Sequence, residues 1–225
     1  MQTLARESAF PTPPRAAHRD GGYPPAVDLD DVLRRRRMWR SFLDRPVEPE
    51  VVDRLLARAV RAPSAGHTQG WAFVVLEGPD QTAGFWRHAA DPEWLARPSR
   101  PGLLRAPVIV VPMGNRQAYL DRYAEADKRA TGRATEDGWP APYWLIDTAF
   151  ATMLLLLAVV EEGLGALFFA LHGQSAALLD HLGVPPGWEP IGAVALGWPA
   201  ADDPPSPSSG RGRRPVHHVV HRGGW

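Results

Sequence analysis

The chain has 225 residues, 44% hydrophobic and 22% charged, which is the make-up of an ordinary globular protein: one α/β domain, or one protomer of an intimate dimer. Its 25 basic and 25 acidic residues cancel to a formal net charge of zero, so no global field points to nucleic acid or to an anionic membrane. Cysteine is absent, which excludes disulfides, thiolate metal sites, iron–sulfur clusters and cysteine nucleophiles, and suits the cytoplasm as the expected location.

In chain order, residues 1–27 are rich in Pro, Arg, Ala and Gly without hydrophobic periodicity, and read as a flexible N-terminal arm before a domain over 28–225. The arm holds no apolar core of the kind a secretory signal needs. Asp28 is placed to cap a helix over Leu29–Arg37, with Asp30 and Asp31 in its first turn. Glu50–Arg61 repeats Val51, Val52, Leu55, Leu56, Ala59 and Val60 at helical spacing, and Pro63 stops it. A polar loop over Ala62–Trp71 leads into a β-like run, Ala72–Leu76. A helix is expected over Asp80–Ala90, and Pro107–Pro112 reads as a buried strand.

Residues 115–143 mix a helical stretch, Tyr119–Arg129, with the breakers Gly132, Gly138, Pro140 and Pro142, and read as an aromatic, mobile lid. Trp144–Glu162 is the strongest helix, closed by Gly163 and apolar nearly all round, so it belongs in the core or at a subunit interface. Its apolar run Ala149–Val160 is shorter than the about 20 residues a bilayer needs. Strands follow at Leu164–Leu171 and Ile191–Gly197, with a short helix, Ser175–Leu182, between them. Residues 200–212 are a Pro/Ser/Gly connector and Pro215–His221 is a final extended segment. Alternating helices and four or five strands give an α+β or α/β reading, in which dimerisation completes the core.

Three segments carry donors suited to a ligand. Arg34-Arg35-Arg36-Arg37-Met38-Trp39-Arg40 sits where a helix ends, and guanidinium groups bind phosphate bidentately. Alone it reads equally well as a solvated helix face, because Lys128 is the only lysine and arginine is this chain's habitual cation. Ala62-Pro63-Ser64-Ala65-Gly66-His67-Thr68-Gln69-Gly70-Trp71 combines small residues, which let backbone approach a ligand, with side-chain donors, although an isolated loop of this kind also serves as a plain turn. Gly163-Leu164-Gly165, Gly197-Trp198-Pro199 and Arg211-Gly212-Arg213-Arg214-Pro215 are weaker signals; the Gly-Leu-Gly is not a dinucleotide fingerprint. No nucleophile motif, metalloprotease helix or Walker loop occurs. His217, His218 and His221 lack a nearby carboxylate or cysteine and read as strand and surface residues.

Taken together and in this order, these segments resemble the nitroreductase-like flavoprotein family over roughly Asp28–His221. The resemblance implies an α+β fold with a central, mostly antiparallel sheet flanked by helices, an intertwined homodimer, and FMN at the dimer interface. By motif position, Arg36 and Arg37 are implied at phosphate and ribityl, Met38 beside them, and Arg40 at the pyrimidine edge, where a cation stabilises the reduced flavin. Pro63, Ser64, Ala65, His67 and Gln69 are implied to come from the partner subunit. Phe168, Phe169 and Ala170 run along the ring, and Arg211 and Arg213 close on phosphate. Arg34 and Arg35 are assigned to solvent.

The family usually has a small polar residue at Met38 and proline at Gly70, which implies a looser loop here. The two phenylalanines stand where small polar residues are common and are expected to narrow the pocket. The implied activity is ping-pong hydride transfer from NADH or NADPH to a small conjugated acceptor such as a nitroaromatic or quinone. The alternatives are an FMN-binding or ligand-sensing protein with little turnover, and a specialised dehydrogenase, dehalogenase or flavin-remodelling enzyme. A nucleic-acid role for the arginine run is disfavoured by zero net charge and by Asp28, Asp30 and Asp31.

Overall fold

The computed structural model describes residues 28–171, 175–203 and 206–225, so the arm expected over 1–27 lies outside the described residues. Helices α1 (Leu29–Arg35) and α2 (Pro49–Ala59) come first. Strand β1 (Trp71–Glu77), helices α3 (Gly78–Ala89) and α4 (Pro92–Ala96), strand β2 (Val108–Asn115) and helix α5 (Arg116–Ala124) follow. The second half holds α6 (Tyr143–Glu161), β3 (Gly165–Phe169), α7 (Ser175–His181), β4 (Trp188–Pro190) and β5 (Ala193–Gly197). The sheet runs β1-β2-β5-β3, all antiparallel, with β4 pairing the far half of β2.

Side chains alternate across a strand, so each strand feeds two cores. Val108 and Val110 of β2, Val194 and Leu196 of β5, and Ala166 of β3 face Leu55 and Ala59 of α2 and Leu155 and Val159 of α6. Ile109, Val111, Ala193, Ala195 and Leu167 face Phe85 and Trp86 of α3 and Leu178 of α7. The result is the expected α+β architecture, a sheet with helices on both faces. Helix α2 starts with Pro49 at its first turn, where a missing N–H costs nothing. It is tied to the end of α6 by Arg54 with Glu162 (3.2 Å) and by Arg58 with Glu161 and Glu162.

Several expectations change. Helix α1 stops at Arg35 and leaves Arg36 and Arg37 outside it. Met38 then forms a parallel bridge with Ala166, and Phe42 an antiparallel one with Pro199, so residues 38–42 are an extended strip along the sheet's edge. The strand expected over Ile191–Gly197 is shortened to β5, and the unanticipated β4 precedes it; between them lies Gly192 (φ 146°), where a Cβ would stand 2.7 Å from the Phe168 ring and from the Phe169 carbonyl. The extended segment expected over Pro215–His221 is instead a 3-10 turn at Val216–His218, exposed throughout. Within the segment expected as a lid, the helix covers Arg116–Ala124 rather than Tyr119–Arg129, and α4 and the 3-10 turn Pro101–Arg105 were not anticipated. The aromatics of that segment pack together: Trp139 lies 4.6 Å from the Tyr123 ring and 5.8 Å from the Tyr119 ring. Helix α6 is longer than its apolar run. At 19 residues it has the length and composition to cross a bilayer, but it packs on the sheet and on α2 as a core helix.

Candidate functional site

The strip after α1 sets the site. The Arg36 N–H closes α1 on the Val32 carbonyl (2.9 Å), and the Trp39 N–H donates to the Ala166 carbonyl (2.9 Å). Extended backbone sends alternate side chains to opposite sides. Arg36 and Met38 therefore share one side, and they line a cleft of about 650 Å³ with Asp30, Leu33 and Arg34 of α1, Met153 of α6, and Arg213. That volume lies within the roughly 300–1,000 Å³ of ordinary small-molecule sites. Three guanidinium groups on one cleft suit an anionic ligand.

Arg37 goes the other way. Its guanidinium lies 3.8 Å over the Trp39 ring and pairs with Asp203, whose side chain is buried. Arg40 is also engaged by Asp203: its N–H donates to Asp203 Oδ1 (2.8 Å), while its guanidinium donates to the Met38 carbonyl (3.1 Å). Asp202 accepts from Ser41 Oγ (2.5 Å) and from Arg105 (3.1 Å), and Arg105 also donates to the Phe42 carbonyl (2.7 Å). The Ser41 hydroxyl, and after it the Arg105 guanidinium, hold the Asp202 carboxyl below the usual carboxylate range. The start of the expected connector is thus a pair of acids clamping the strip.

The polar loop is a separate construction. Ala65–His67 form a 3-10 turn, with Gly66 (φ 61°), His67 (φ 55°) and Gln69 (φ 52°) all left-handed. The Ala65 N–H donates to Asp147 Oδ2 (2.8 Å) from α6, the Gln69 N–H to Ser64 Oγ (2.9 Å), and Arg122 Nε of α5 to the Gly66 carbonyl (3.0 Å). His67 and Gln69 touch through their side chains (3.0 Å) and are exposed. Tyr119 donates its hydroxyl to Asp147 Oδ2 (2.8 Å). Burial, followed by that carboxylate, pushes the Tyr119 hydroxyl far above its ordinary range. Gly70 is required by contact: a Cβ there would lie 2.5 Å from the Tyr119 ring. The loop is therefore held from outside, not loosened, at the position where proline is usual.

Of the residues singled out from the sequence, the fold brings Arg36, Met38 and Arg213 together. Arg34, assigned to solvent, is largely exposed and paired with Asp31, and it also lines the open cleft from the face of α1 that carries Asp30 and Leu33. Arg211, in an exposed 3-10 turn, is not among the lining residues, and neither is any of Pro63, Ser64, Ala65, His67 and Gln69. Phe168 and Phe169 do not narrow the cleft. Phe168 packs with the α2/α6 core, and Phe169 stacks on Trp86 (5.4 Å, 12°), leaving Ala170 exposed at the strand's end. Sequence reasoning missed Asp147, Arg122, Asp202 and Asp203. Asp147 did leave a signal, as the one acid in the otherwise apolar stretch Tyr143–Val160.

A cleft of arginines beside a three-layer α+β core, with a glycine-bearing polar loop on the same scaffold, is a ligand-binding arrangement rather than a nucleophile-based active site. The Nitroreductase family model matches residues 33–198, and the chain belongs to that family. That family is generally flavin-dependent. Nitrobenzene nitroreductase of Ectopseudomonas oleovorans is 40% identical over 76 residues, which is 32% of this chain and 34% of that protein. The chain thus aligns with about a third of that relative's length. A protein of Archaeoglobus fulgidus named "Putative NADH dehydrogenase/NAD(P)H nitroreductase" is 25% identical over 167 residues, 73% of this chain and 81% of its own. Among solved structures, a Nitroreductase Family Protein from Streptococcus pneumoniae matches with a TM-score of 0.68 at 19% identity, over 87% of this chain and 100% of its own; this likeness shows the fold.

Proposed function

We propose that the protein is an FMN-dependent oxidoreductase that works as a cytoplasmic homodimer and carries electrons from NADH or NADPH to a small conjugated acceptor, such as a nitroaromatic or a quinone. The observation that carries this reading is the meeting of Arg36, Met38 and Arg213 on one cleft, from segments almost the whole domain apart. The residues present fit the cofactor: Arg36 and Arg213, with Arg34 beside them, supply the charge for its phosphate, and Met38 and Met153 supply an apolar wall. When bound, the flavin supplies two-electron chemistry in alternating half-reactions. The names of two relatives, a nitrobenzene nitroreductase and an NADH dehydrogenase/NAD(P)H nitroreductase, support the acceptor and donor classes.

A second copy completes the site in this reading. The loop residues Pro63–Gln69 stand apart from the arginine cleft within one chain, as a partner-supplied half requires. Phe150 and Met153 leave large apolar surface exposed on α6, and such surface is where protomers meet. The low-turnover alternative would need Phe168, Phe169 and the segment Trp139–Trp144 to cover the ring; Phe168 and Phe169 instead pack, partly buried, against the two cores, and Trp139 and Trp144 pack with Tyr119 and Tyr123.

The test is direct. Purified protein supplied with FMN should retain it after gel filtration and turn yellow. Anaerobic NADH or NADPH should bleach the colour, and a nitroaromatic or quinone should restore it. Protein that stays colourless overturns the cofactor assignment. Retained FMN that neither nicotinamide reduces overturns the donor.

A further inference from the structure

Asp147 is 2% exposed, in a helix whose other residues from Tyr143 to Val160 carry no acid. A carboxylate buried this way is costly unless its oxygens are well bonded. No ion pair forms with it among the described residues. Its Oδ2 instead accepts from two neutral donors on different elements, the Ala65 N–H of the polar loop and the Tyr119 hydroxyl of α5, both at 2.8 Å. One oxygen thereby joins the core helix, the loop and the lid.

The loop needs such a tie. His67 and Gln69 hold left-handed backbone without being glycine, a conformation that persists only when surroundings over-determine it. Ser64 and Thr68 bond within the loop itself, to Gln69 N–H and to the Ala65 carbonyl. The hold from outside comes from Asp147 on the Ala65 N–H and Arg122 on the Gly66 carbonyl. Arg122 is itself fixed by Asp127, with two contacts of 2.7 and 2.8 Å. Tyr119 and Tyr123 fill the space that side chains at Gly70 and Gly66 would take, so the same lid residues shape the loop sterically.

We propose that Asp147 is a positioning residue for the cofactor: it fixes the loop 64–69 in the strained shape presented to the flavin, and couples that shape to the lid through Tyr119. The proposal rests on the FMN reading above and adds a residue that touches neither cofactor nor substrate. An acceptor is what both donors require, so asparagine can serve through its amide oxygen, while alanine leaves two buried donors unsatisfied.

The experiment titrates FMN into the full-length protein and its variants by flavin fluorescence quenching, with the visible spectrum of the bound flavin recorded beside far-UV circular dichroism. Asp147→Ala should raise the Kd by about tenfold or more and move the bound flavin's band toward that of free FMN. Asp147→Asn should stay within about threefold of wild type, below a half-unit change on the tenfold scale, and keep the wild-type band. Ala65→Pro removes the donor from the loop side, at the first position of the 3-10 turn, and carries the test should Asp147→Ala not fold. It should reproduce the loss and the band shift, and the double variant should be no worse than the weaker single. If wild type binds FMN while folded Asp147→Ala or Ala65→Pro binds it with unchanged Kd and band, the proposal is overturned. Additive losses in the double variant overturn the route through the Ala65 N–H. Wild type that binds no FMN overturns the cofactor reading instead, and the two failures are told apart by that single measurement.

Discussion

Arg36 and Arg37 are neighbours in the chain and part company in the fold. Arg36 opens onto the cleft with Arg213, whereas Arg37 is drawn to Asp203 and stacked on Trp39. The two should answer differently to truncation. Arg36→Ala and Arg213→Ala are expected to weaken FMN retention by about tenfold each, the scale of one charge-assisted hydrogen bond, with little change in Tm. Arg37→Ala should cost about 1–3 kcal/mol of stability by leaving the buried Asp203 short of a donor, and should weaken FMN less than Arg36→Ala. Urea unfolding and flavin titration on the same three proteins check both halves. The motif positions of Arg36, Met38 and Arg213 were legible because arginine-rich strips at fixed spacing leave a trace in the sequence. The diversion of Arg37 was not, because Asp203 lies 166 residues away and only the folded edge of the sheet brings the two together.

Elements were legible where one local pattern governs them. Helix α2 follows from its apolar spacing, β2 from Val108-Ile109-Val110-Val111, and α6 from its apolar length. The edge strip and the start of β5 are places where a distant partner decides. Residues 38–42 are extended because Ala166 and Pro199 accept them as an edge strip. The β4–β5 break exists because Phe168 occupies the space beside Gly192. The 200–203 segment reads as connector in sequence but is an anchor in the fold. That anchor should be acid-labile. The Asp202 carboxyl is held low in the folded protein by Ser41 and Arg105, so its contribution to stability is complete above the unfolded pKa, near about 4, and is lost as pH falls through the lower folded value. Asp202→Asn removes that contribution. The Tm of wild type should therefore exceed that of Asp202→Asn at pH 6, and the gap should close as the pH is taken below about 4. A gap that stays constant down to pH 2.5 would show that the carboxylate contributes through packing alone.

At the scale of the whole molecule, several large apolar side chains stay exposed. Phe150 and Met153 on α6, Leu29 and Leu33 on α1, and Val216, Val219, Val220 and Trp225 near the C-terminus are all exposed. In the proposed homodimer these surfaces are covered, and the cleft meets a loop from the second copy. Phe150→Glu would place a charge in that contact, and is expected to weaken dimerisation by at least about 100-fold, given what an unpaired buried charge costs. Light scattering behind gel filtration should then report a monomer that no longer retains FMN. A dimer that persists with bound flavin would move the interface elsewhere. Strand β3 commits Phe168 to one core and Phe169 to the other, so what it can offer at its end, next to Ala170, is main chain. Amide groups do not change when codons do. Natural variation and laboratory selection at positions 168 and 169 will consequently be filtered by how well the two cores stay filled, and a search for altered substrate preference is better directed at the partly buried Leu120 and Tyr143, since Tyr119 and Tyr123 are committed to the loop 64–69.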